Sequence, residues 1–203
     1  AEYFTRTDRT FGDVAALLSQ RSGEGRVRRC HSDLHLKNLV MIKGQPVPFD
    51  ALEFDERLGT CDVFYDFAFL VMDLLHRGLT GQANVLQNSY LREIRDFTGL
   101  ATLPLFLSIR AAIRSMVAVQ TMSGAVAGDI VRDARNYLEQ AIVFLSPLPP
   151  RLVAVGGLSG SGKTTIAGRI APSLGSSPGA VHLRSDLERK AMFGVEPLDR
   201  LPE

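Results

Sequence analysis

The stretch Gly157-Leu158-Ser159-Gly160-Ser161-Gly162-Lys163-Thr164 decides how the C-terminal part of this chain folds. An apolar run at residues 152–155 precedes it, and a helical pattern of apolar residues follows it. This order predicts a strand, a glycine-rich turn and a helix that begins at Lys163. A second short strand is predicted at residues 181–183, so this region is expected to be an α/β fold with a parallel sheet.

The glycine-rich turn, here called the phosphate loop (residues 157–164), matches G-x-x-x-x-G-K-[ST] at every fixed position. Glycine lets the backbone curl so that successive N–H groups point at phosphate oxygens, and the following helix adds its positive end. Lys163 is expected to reach the β- and γ-phosphates, and the Thr164 hydroxyl to bind Mg²⁺. The motif therefore predicts a site for ATP or GTP with Mg²⁺. The predicted nucleotide-binding residues are Gly157, Ser159, Gly160, Ser161, Gly162, Lys163, Thr164 and Thr165.

The second predicted strand leads into Arg184-Ser185-Asp186. A strand that ends in Ser-Asp before a helix resembles the small P-loop kinases (AAA-type) of the gluconate kinase and zeta-toxin type. In those enzymes the Asp contacts the acceptor hydroxyl, so the resemblance implies a catalytic role for Asp186. Capping of the next helix by Ser185 or Asp186 is an open alternative, and the two roles can coexist.

The segment His31-Ser32-Asp33-Leu34-His35-Leu36-Lys37-Asn38, here called the HxD loop, has the H-x-D-x-x-x-x-N spacing of a kinase catalytic loop. In that chemistry the Asp orients the substrate hydroxyl and the Asn reaches Mg²⁺. Apolar runs at residues 39–42 and 46–49 around a Lys-Gly turn predict a hairpin, which leads to Asp50.

Together with the stretch from Asp62 to Ala68, these features resemble the aminoglycoside phosphotransferase and choline-kinase-like superfamily over roughly residues 27–75. The resemblance implies that Asp33 is the catalytic base and that Asn38 is a metal ligand. It implies a further metal ligand at either Asp50 or Glu53, of which Asp50 is preferred. It also implies that the carboxylate of Asp66 orders the HxD loop from a buried helix.

Two helical patterns fill residues 105–145, and the run Ser146-Pro147-Leu148-Pro149-Pro150 predicts a stiff linker. We therefore expect a mainly α-helical, kinase-like C-lobe (α+β) at residues 1–148 and the start of the α/β phosphate-loop domain at residues 149–203. This order of parts resembles bacterial two-domain predicted kinases. Compared with such proteins, a kinase N-lobe is expected to be missing and the second domain incomplete. The chain alone is then expected to bind phosphate without turning over substrate.

The chain has 203 residues, 23 Lys and Arg against 22 Asp and Glu, and a formal net charge of +1. This balance provides no basic field for nucleic acid or an anionic membrane. Cys30 and Cys61 lie far apart in sequence and are expected to be reduced thiols rather than parts of a zinc site or disulfide. The N-terminus lacks the apolar stretch of a signal peptide, and acidic residues interrupt the most apolar run, at residues 63–75. A cytoplasmic location is therefore expected.

The leading functional hypothesis is an ATP-dependent phosphotransferase that acts on a small hydroxylated molecule. Its partners would be a nucleoside triphosphate and that acceptor, with no nucleic acid and no membrane. The alternative is a nucleotide-binding regulatory switch, or an NTPase, on a kinase-like scaffold without a small-molecule acceptor.

Overall fold

The computed structural model describes residues 2–121, 127–196 and 199 of the chain, which are mostly helical. The helices are α1 (Glu2–Gly23), α2 (Glu56–Gly59), α3 (Val63–His76), α4 (Thr80–Ile94), α5 (Leu103–Gln120), α6 (Ala127–Phe144), α7 (Lys163–Ile170) and α8 (Ser185–Met192). The strands are β1 (Val27–Arg29), β2 (Leu39–Ile42), β3 (Gln45–Pro48) and β4 (Thr60–Asp62). Single 3₁₀ turns occur at Leu36–Asn38, Thr98–Ala101 and Ala171–Ser173.

Helix α3 is the centre of the core. Its N-cap is Asp62, whose carboxylate accepts a hydrogen bond from the N–H of Phe64 at 2.8 Å. Apolar residues cover nearly every side of this helix, and the predicted buried helix at residues 62–75 is confirmed. The side chains of α3 that are completely buried are Phe64, Ala68, Val71 and Met72.

Helices α5 and α6 pack beside α3 as an antiparallel pair. The hydroxyl of Ser108 donates to the carbonyl of Ala141 at 2.8 Å, and that of Ser115 donates to Ala134 at 2.7 Å. The predicted helix pair is thus confirmed, while its predicted link near Ser123 lies outside the described residues. Of the described helices, α5 alone is long and apolar enough to cross a membrane by length and composition. One side of this helix packs against α3 and α6.

The predicted hairpin is also confirmed, because β2 and β3 pair antiparallel with Leu39 opposite Pro48 and Ile42 opposite Gln45. At the turn, Lys43 and Gly44 have φ angles of 50° and 78°. Such a pair of positive φ angles is typical of a two-residue hairpin turn whose twist matches the strands. The hairpin directly connects the HxD loop to the segment that carries Asp50.

A second antiparallel pair, β1 with β4, brings the two cysteines together, although 30 residues separate them in sequence. Cys30 Sγ donates to the carbonyl of Cys61 at 3.6 Å, and both thiols are free, as predicted. Burial, with a smaller contribution from the neighbouring Cys61, raises the pKa of Cys30 to about 12. The thiol of Cys30 is therefore protonated at neutral pH.

A buried ion triad fixes α1 to the rest of this region. Arg21 is completely buried and donates to the carboxylates of Asp62 and Asp96, with shortest distances of 2.7 Å to each. Burial alone would lower the pKa of Arg21, but these two carboxylates outweigh it and raise that pKa. The triad holds the N-cap residue of α3, and so connects α1 to the helix that supports the HxD loop.

The C-terminal region differs from the expectation in one respect. Helices α7 and α8 form, but the predicted strands at residues 152–155 and 181–183 do not, so the described residues contain no parallel sheet. Leu152 is 97% exposed and lies outside any core. Near the second predicted strand, α4 side chains bind the carbonyl of Ala180 and the N–H of His182, which a sheet would otherwise pair. Side-chain amides of α4 thus bind the backbone groups that a neighbouring strand would bind in a sheet.

Candidate functional site

The phosphate loop is an open turn at the start of α7. Residues 156–162 are exposed, and Gly157, Gly160 and Gly162 have φ angles of 148°, 76° and 81°. These backbone conformations favour glycine, and a Cβ atom at Gly157 would lie 2.9 Å from Ser161 Oγ. The predicted turn and helix start are therefore confirmed, and the glycines give the loop its curvature.

The first turn of α7 leaves its backbone donors available. Gly162 is the N-cap, and no side chain caps the helix. The first N–H groups of a helix lack intrahelical partners, so this end attracts an anion. Thr164 and Thr165 lie in the same first turn. The donor set fits the phosphates of a nucleotide, with the Thr164 hydroxyl as an oxygen ligand for Mg²⁺.

Lys163 is folded back onto the phosphate loop. Its Nζ atom donates to the carbonyl of Leu158 at 2.6 Å. An ammonium group with one carbonyl partner keeps two further donors, so Lys163 can turn to a phosphate without breaking a buried interaction. The lysine is thus held across the opening where the β- and γ-phosphates are expected.

Asp186 lies in the first turn of α8, but the N-cap of that helix is Arg184, which makes no side-chain capping bond. The prediction that Ser185 or Asp186 caps α8 is therefore wrong. The Asp186 carboxylate instead accepts two hydrogen bonds from the Arg184 guanidinium, at 2.6 and 3.3 Å. This partner lowers the pKa of Asp186, although burial acts slightly against it. Asp186 is consequently an ionised, half-exposed hydrogen-bond acceptor at neutral pH.

In the N-terminal region, the HxD loop brings Asp33 and Asn38 into direct contact. The Nδ2 atom of Asn38 donates to Asp33 Oδ2 at 2.9 Å and to the Asp33 carbonyl at 3.0 Å. Asn38 is buried, whereas the Asp33 side chain is 45% exposed. The amide thus fixes the carboxylate and leaves its own Oδ1, the atom that would bind a metal, outside the pair.

Asp66 orders the HxD loop as predicted. Its carboxylate accepts from the backbone N–H of His31 at 3.0 Å and from that of Ser32 at 2.8 Å. Ser32 has a φ angle of 64°, a conformation that a non-glycine residue adopts only when its surroundings require it. The two hydrogen bonds to Asp66 of α3 hold Ser32 in this conformation, one residue before Asp33.

Two further charged residues support the loop, and the sequence analysis did not assign them this role. Asp73 accepts from the N–H of Leu36 at 2.9 Å, and Arg110 donates to the carbonyl of Ser32 at 3.1 Å. Arg110 is 6% exposed and its guanidinium carbon lies 3.8 Å from the ring centre of Tyr65. The position of Asp73 and Arg110 within apolar helical patterns could have indicated this role, because charged residues are buried only when they have partners.

His31 joins the HxD loop to the segment that carries Asp50. Its Nε2 atom lies 2.9 Å from the carbonyl of Phe49, and its own carbonyl accepts from the N–H of Leu52 at 3.0 Å. Asp50 lies between these two contacts and has a φ angle of 61°. These two hydrogen bonds hold the segment with Asp50 beside the HxD loop. Glu53 follows directly after Leu52.

The predicted metal ligands of this site are not assembled into a cage. Among the described residues there is no group of three or more His, Cys, Asp or Glu side chains that could hold a metal ion. Asp50 and Glu53 are both exposed. Mg²⁺ in phosphotransferases uses one or two protein ligands together with substrate phosphates, so Asn38 with one carboxylate fits that mode.

His35 helps to shape the loop as a neutral group. Its Nδ1 atom accepts from the N–H of Lys37 at 3.2 Å, and its ring packs edge-on against Phe69. Burial lowers the pKa of His35 below its ordinary value of 6.5, although Asp33, 3.5 Å from its Nε2 atom, acts in the opposite direction. The imidazole is therefore uncharged at neutral pH.

A cavity of about 640 Å³ opens beside the C-terminal end of the HxD loop. Lys37 lines one side of it, and α5 and α6 line the other, with Arg114 and Asn136 among the polar groups. Its volume lies within the range of small-molecule sites. The HxD loop therefore has room beside it for a ligand.

Comparisons with known proteins assign the C-terminal region. A family model described as an AAA domain matches residues 152–202, and with the phosphate loop it identifies a P-loop, kinase-like nucleotide-binding domain. Uncharacterized proteins of Mycobacterium tuberculosis (strain H37Rv) and Mycobacterium bovis are each 29% identical to this chain over 160 residues. The match covers 79% of this chain and 32% of each relative, so the chain spans about a third of their length. No solved structure matches the chain.

Proposed function

We propose that this protein is an ATP-dependent phosphotransferase for a small hydroxylated molecule. The observation that carries the proposal is the phosphate loop, an uncapped helix start with Lys163 across its opening. A charge-paired carboxylate, Asp186, follows in the next helix of the same domain. Kinase-like P-loop domains need this combination, because phosphoryl transfer is catalysed mainly by positioning and by neutralising phosphate charge.

Each residue of the P-loop domain has a distinct task in the proposed reaction. The N–H groups of the loop bind the phosphate oxygens, and Lys163 neutralises charge on the β- and γ-phosphates. Mg²⁺, held on the protein side by Thr164, supplies further charge neutralisation when it is bound. The carboxylate of Asp186 would accept the proton of the acceptor hydroxyl as its oxygen forms the new bond to phosphorus and the bond from that phosphorus to the ADP oxygen breaks.

We further propose a phosphotransferase site of the aminoglycoside phosphotransferase type at the HxD loop. The contact between Asp33 and Asn38 supports it, because an exposed carboxylate is fixed there by a buried amide. Asp33 would accept the proton of a substrate hydroxyl. Asn38 Oδ1 and Asp50 would hold Mg²⁺, and Asp50 is preferred to Glu53 because the contacts of His31 hold its segment.

The first test is nucleotide binding by the Lys163→Ala variant, measured by calorimetric titration with Mg²⁺ and ATP. Loss of a hydrogen bond to a charged group corresponds to roughly 1.5–3 kcal/mol, so ATP affinity should fall about 10- to 100-fold. Lys43→Ala, in the hairpin turn, removes a lysine of equal charge and should leave the affinity unchanged. Equal affinity in the wild type and the Lys163→Ala variant would contradict the proposed nucleotide site.

The second test uses a full-length protein that contains this chain, γ-labelled ATP and a pool of small cellular metabolites. Transfer of label to a metabolite would support the phosphotransferase. Release of phosphate without a labelled acceptor would favour the NTPase, and binding of ATP without either reaction would favour the regulatory switch.

A further inference from the structure

A cavity of about 520 Å³ lies between α4 and the P-loop domain. We propose that this cavity is the acceptor pocket of the phosphate-loop site and that α4, from the other region of the chain, forms one of its walls. We infer that it takes a small polyhydroxylated molecule of low net charge. This inference rests on the proposed phosphotransferase function.

The cavity is next to the proposed chemistry. Thr164, the metal-binding position of the phosphate loop, lines it together with Arg184, the ion-pair partner of Asp186. A ligand in this cavity therefore lies beside the helix end that would hold the phosphates. The opposite wall consists of residues of α4 and the segment after it, among them Arg92, Glu93 and Phe97.

The two walls are joined by a hydrogen-bonded interface. Asn84 and Asn88 of α4 donate to the carbonyl of Ala180 at 3.0 and 3.2 Å, and Asn88 Oδ1 accepts from the N–H of His182 at 2.6 Å. Gln87 donates to the carbonyl of Gly179 at 3.3 Å. Asn84 and Gln87 are each only 2% exposed, so their amides are satisfied inside this interface. The α4 wall is thus built into the domain contact.

Gly179 shows how closely the two regions approach. Its φ angle is 107°, and a Cβ atom there would lie 2.5 Å from the carbonyl oxygen of Ala171 and 2.9 Å from Asn84 Nδ2. Only glycine fits without displacing the backbone or the Asn84 amide. Val181, two residues further on, packs against the hydrophobic core of the N-terminal region. This close packing fixes the position of the α4 wall relative to the P-loop domain.

The charges of the lining indicate the class of ligand. Three arginines and three glutamates line the cavity, so their formal charges cancel; they are Arg92, Arg95, Arg184, Glu93, Glu188 and Glu196. Two of these guanidinium groups are paired with carboxylates, Arg95 with Glu188 at 2.6 Å and Arg184 with Asp186, and Arg92 alone donates to a neutral hydroxyl, that of Ser89. No cluster of open cations is therefore left in this lining for an anionic ligand.

The carboxylates of the lining favour hydroxyl donors. Within the described part of the chain, Glu93 and Glu196 take part in no ion pair, and a carboxylate without a cation accepts hydrogen bonds from hydroxyl groups. The volume of the cavity lies in the range of small-molecule sites. A neutral sugar or polyol fits both the size and the charge of this pocket.

The test is ligand-observed NMR on the complete 203-residue chain with Mg²⁺ and a non-hydrolysable ATP analogue. The probes are three mixtures, of neutral sugars and polyols, of sugar acids, and of sugar phosphates. We expect saturation transfer to members of the neutral mixture. Glu93→Ala should weaken that binding about tenfold, the effect of losing a hydrogen bond to a charged group. Ala191→Phe, which fills the cavity from α8, should abolish it.

The matched control is Glu139→Ala, which removes an exposed glutamate of α6 outside the cavity and should change nothing. Calorimetry with ATP separates the two proposals, because Glu93→Ala and Ala191→Phe should keep wild-type ATP affinity. If the wild-type protein does not bind ATP, the proposed function itself is wrong. Binding from the anionic mixtures alone, from no mixture, or undiminished in both pocket variants would overturn the pocket assignment.

Discussion

The two loops to which we assign a function are ordered in opposite ways. The HxD loop is held from behind by buried charged side chains, with Asp66 and Asp73 binding its N–H groups and Arg110 its carbonyl. The phosphate loop is exposed along residues 156–162 and has only its own backbone and Lys163 for support. The comparison teaches that the protein itself organises the HxD loop, whereas the phosphate loop leaves the N–H groups at the start of α7 free for the ligand that we propose.

This difference fits the type of ligand that we propose for each loop. Successive N–H groups that must bind phosphate cannot also be bonded to the protein, so the phosphate loop has to remain open. The HxD loop must instead hold the single carboxylate of Asp33 in position. The backbone groups around that carboxylate can be fully hydrogen-bonded without loss of the proposed function. Substitutions of the side chains that support the HxD loop should therefore lower stability, and substitutions in the phosphate loop should lower ligand affinity.

The largest expected effect is on phosphoryl transfer at the HxD loop. Asp33→Asn keeps the size of the side chain and a hydrogen bond with Asn38, but it removes the proton acceptor. Transfer of labelled phosphate by a full-length protein that contains this chain, measured in the Lys163→Ala background so that the second site is silent, should fall about 100-fold or more. The free energy of unfolding should change by less than about 0.5 kcal/mol. Undiminished transfer would show that Asp33 is not the base.

The next largest effect is on stability, from Asp66→Ala. This change leaves two loop N–H groups without their acceptor and the buried Arg110 without a carboxylate 3.9 Å away, so the free energy of unfolding in urea should fall by about 3 kcal/mol. Ser161→Ala, in the exposed phosphate loop, is the matched comparison and should cost less than about 0.5 kcal/mol. Equal losses in the two variants would remove the distinction between the loops.

The smallest effect is a pH dependence of stability that belongs to the HxD loop. Because burial lowers the pKa of His35, the unfolded chain binds this proton more readily than the folded chain. Its contribution to stability is complete above pH 6.5 and decreases as the pH falls through 6.5 toward the lowered value. Thermal unfolding of the wild type and of His35→Asn should therefore diverge on acidification. Parallel pH profiles would exclude this role for His35.

The sequence predicted the local elements well because their signals are local. The hairpin around Lys43-Gly44, the buried helix α3 and the helix that starts at Lys163 each follow from spacing and turn chemistry within a short window. Asp66 could be predicted as the acceptor for the HxD loop through a resemblance over that same window. Asp33 and Asn38 meet because a single 3₁₀ turn connects them.

The long-range contacts could not be predicted from these patterns. Arg110 reaches Ser32 across 78 positions, and Asn88 reaches His182 across 94, so no spacing rule relates them. The predicted strand at residues 181–183 failed for this reason, because α4 side chains took the backbone partners that a sheet would have used. The cap of α8 failed for a local reason, because the carboxylate of Asp186 binds the guanidinium of Arg184, two residues before it.

The measurement that tests this contrast most directly is amide hydrogen exchange of the chain, with and without Mg²⁺ and ATP. The N–H groups of His31, Ser32 and Leu36 should be protected in both conditions, because carboxylates of α3 bind them. Those of residues 162–164 should exchange rapidly in the free protein and become protected when ATP is added. Strong protection of the phosphate loop without nucleotide, or rapid exchange of the HxD loop, would contradict the account.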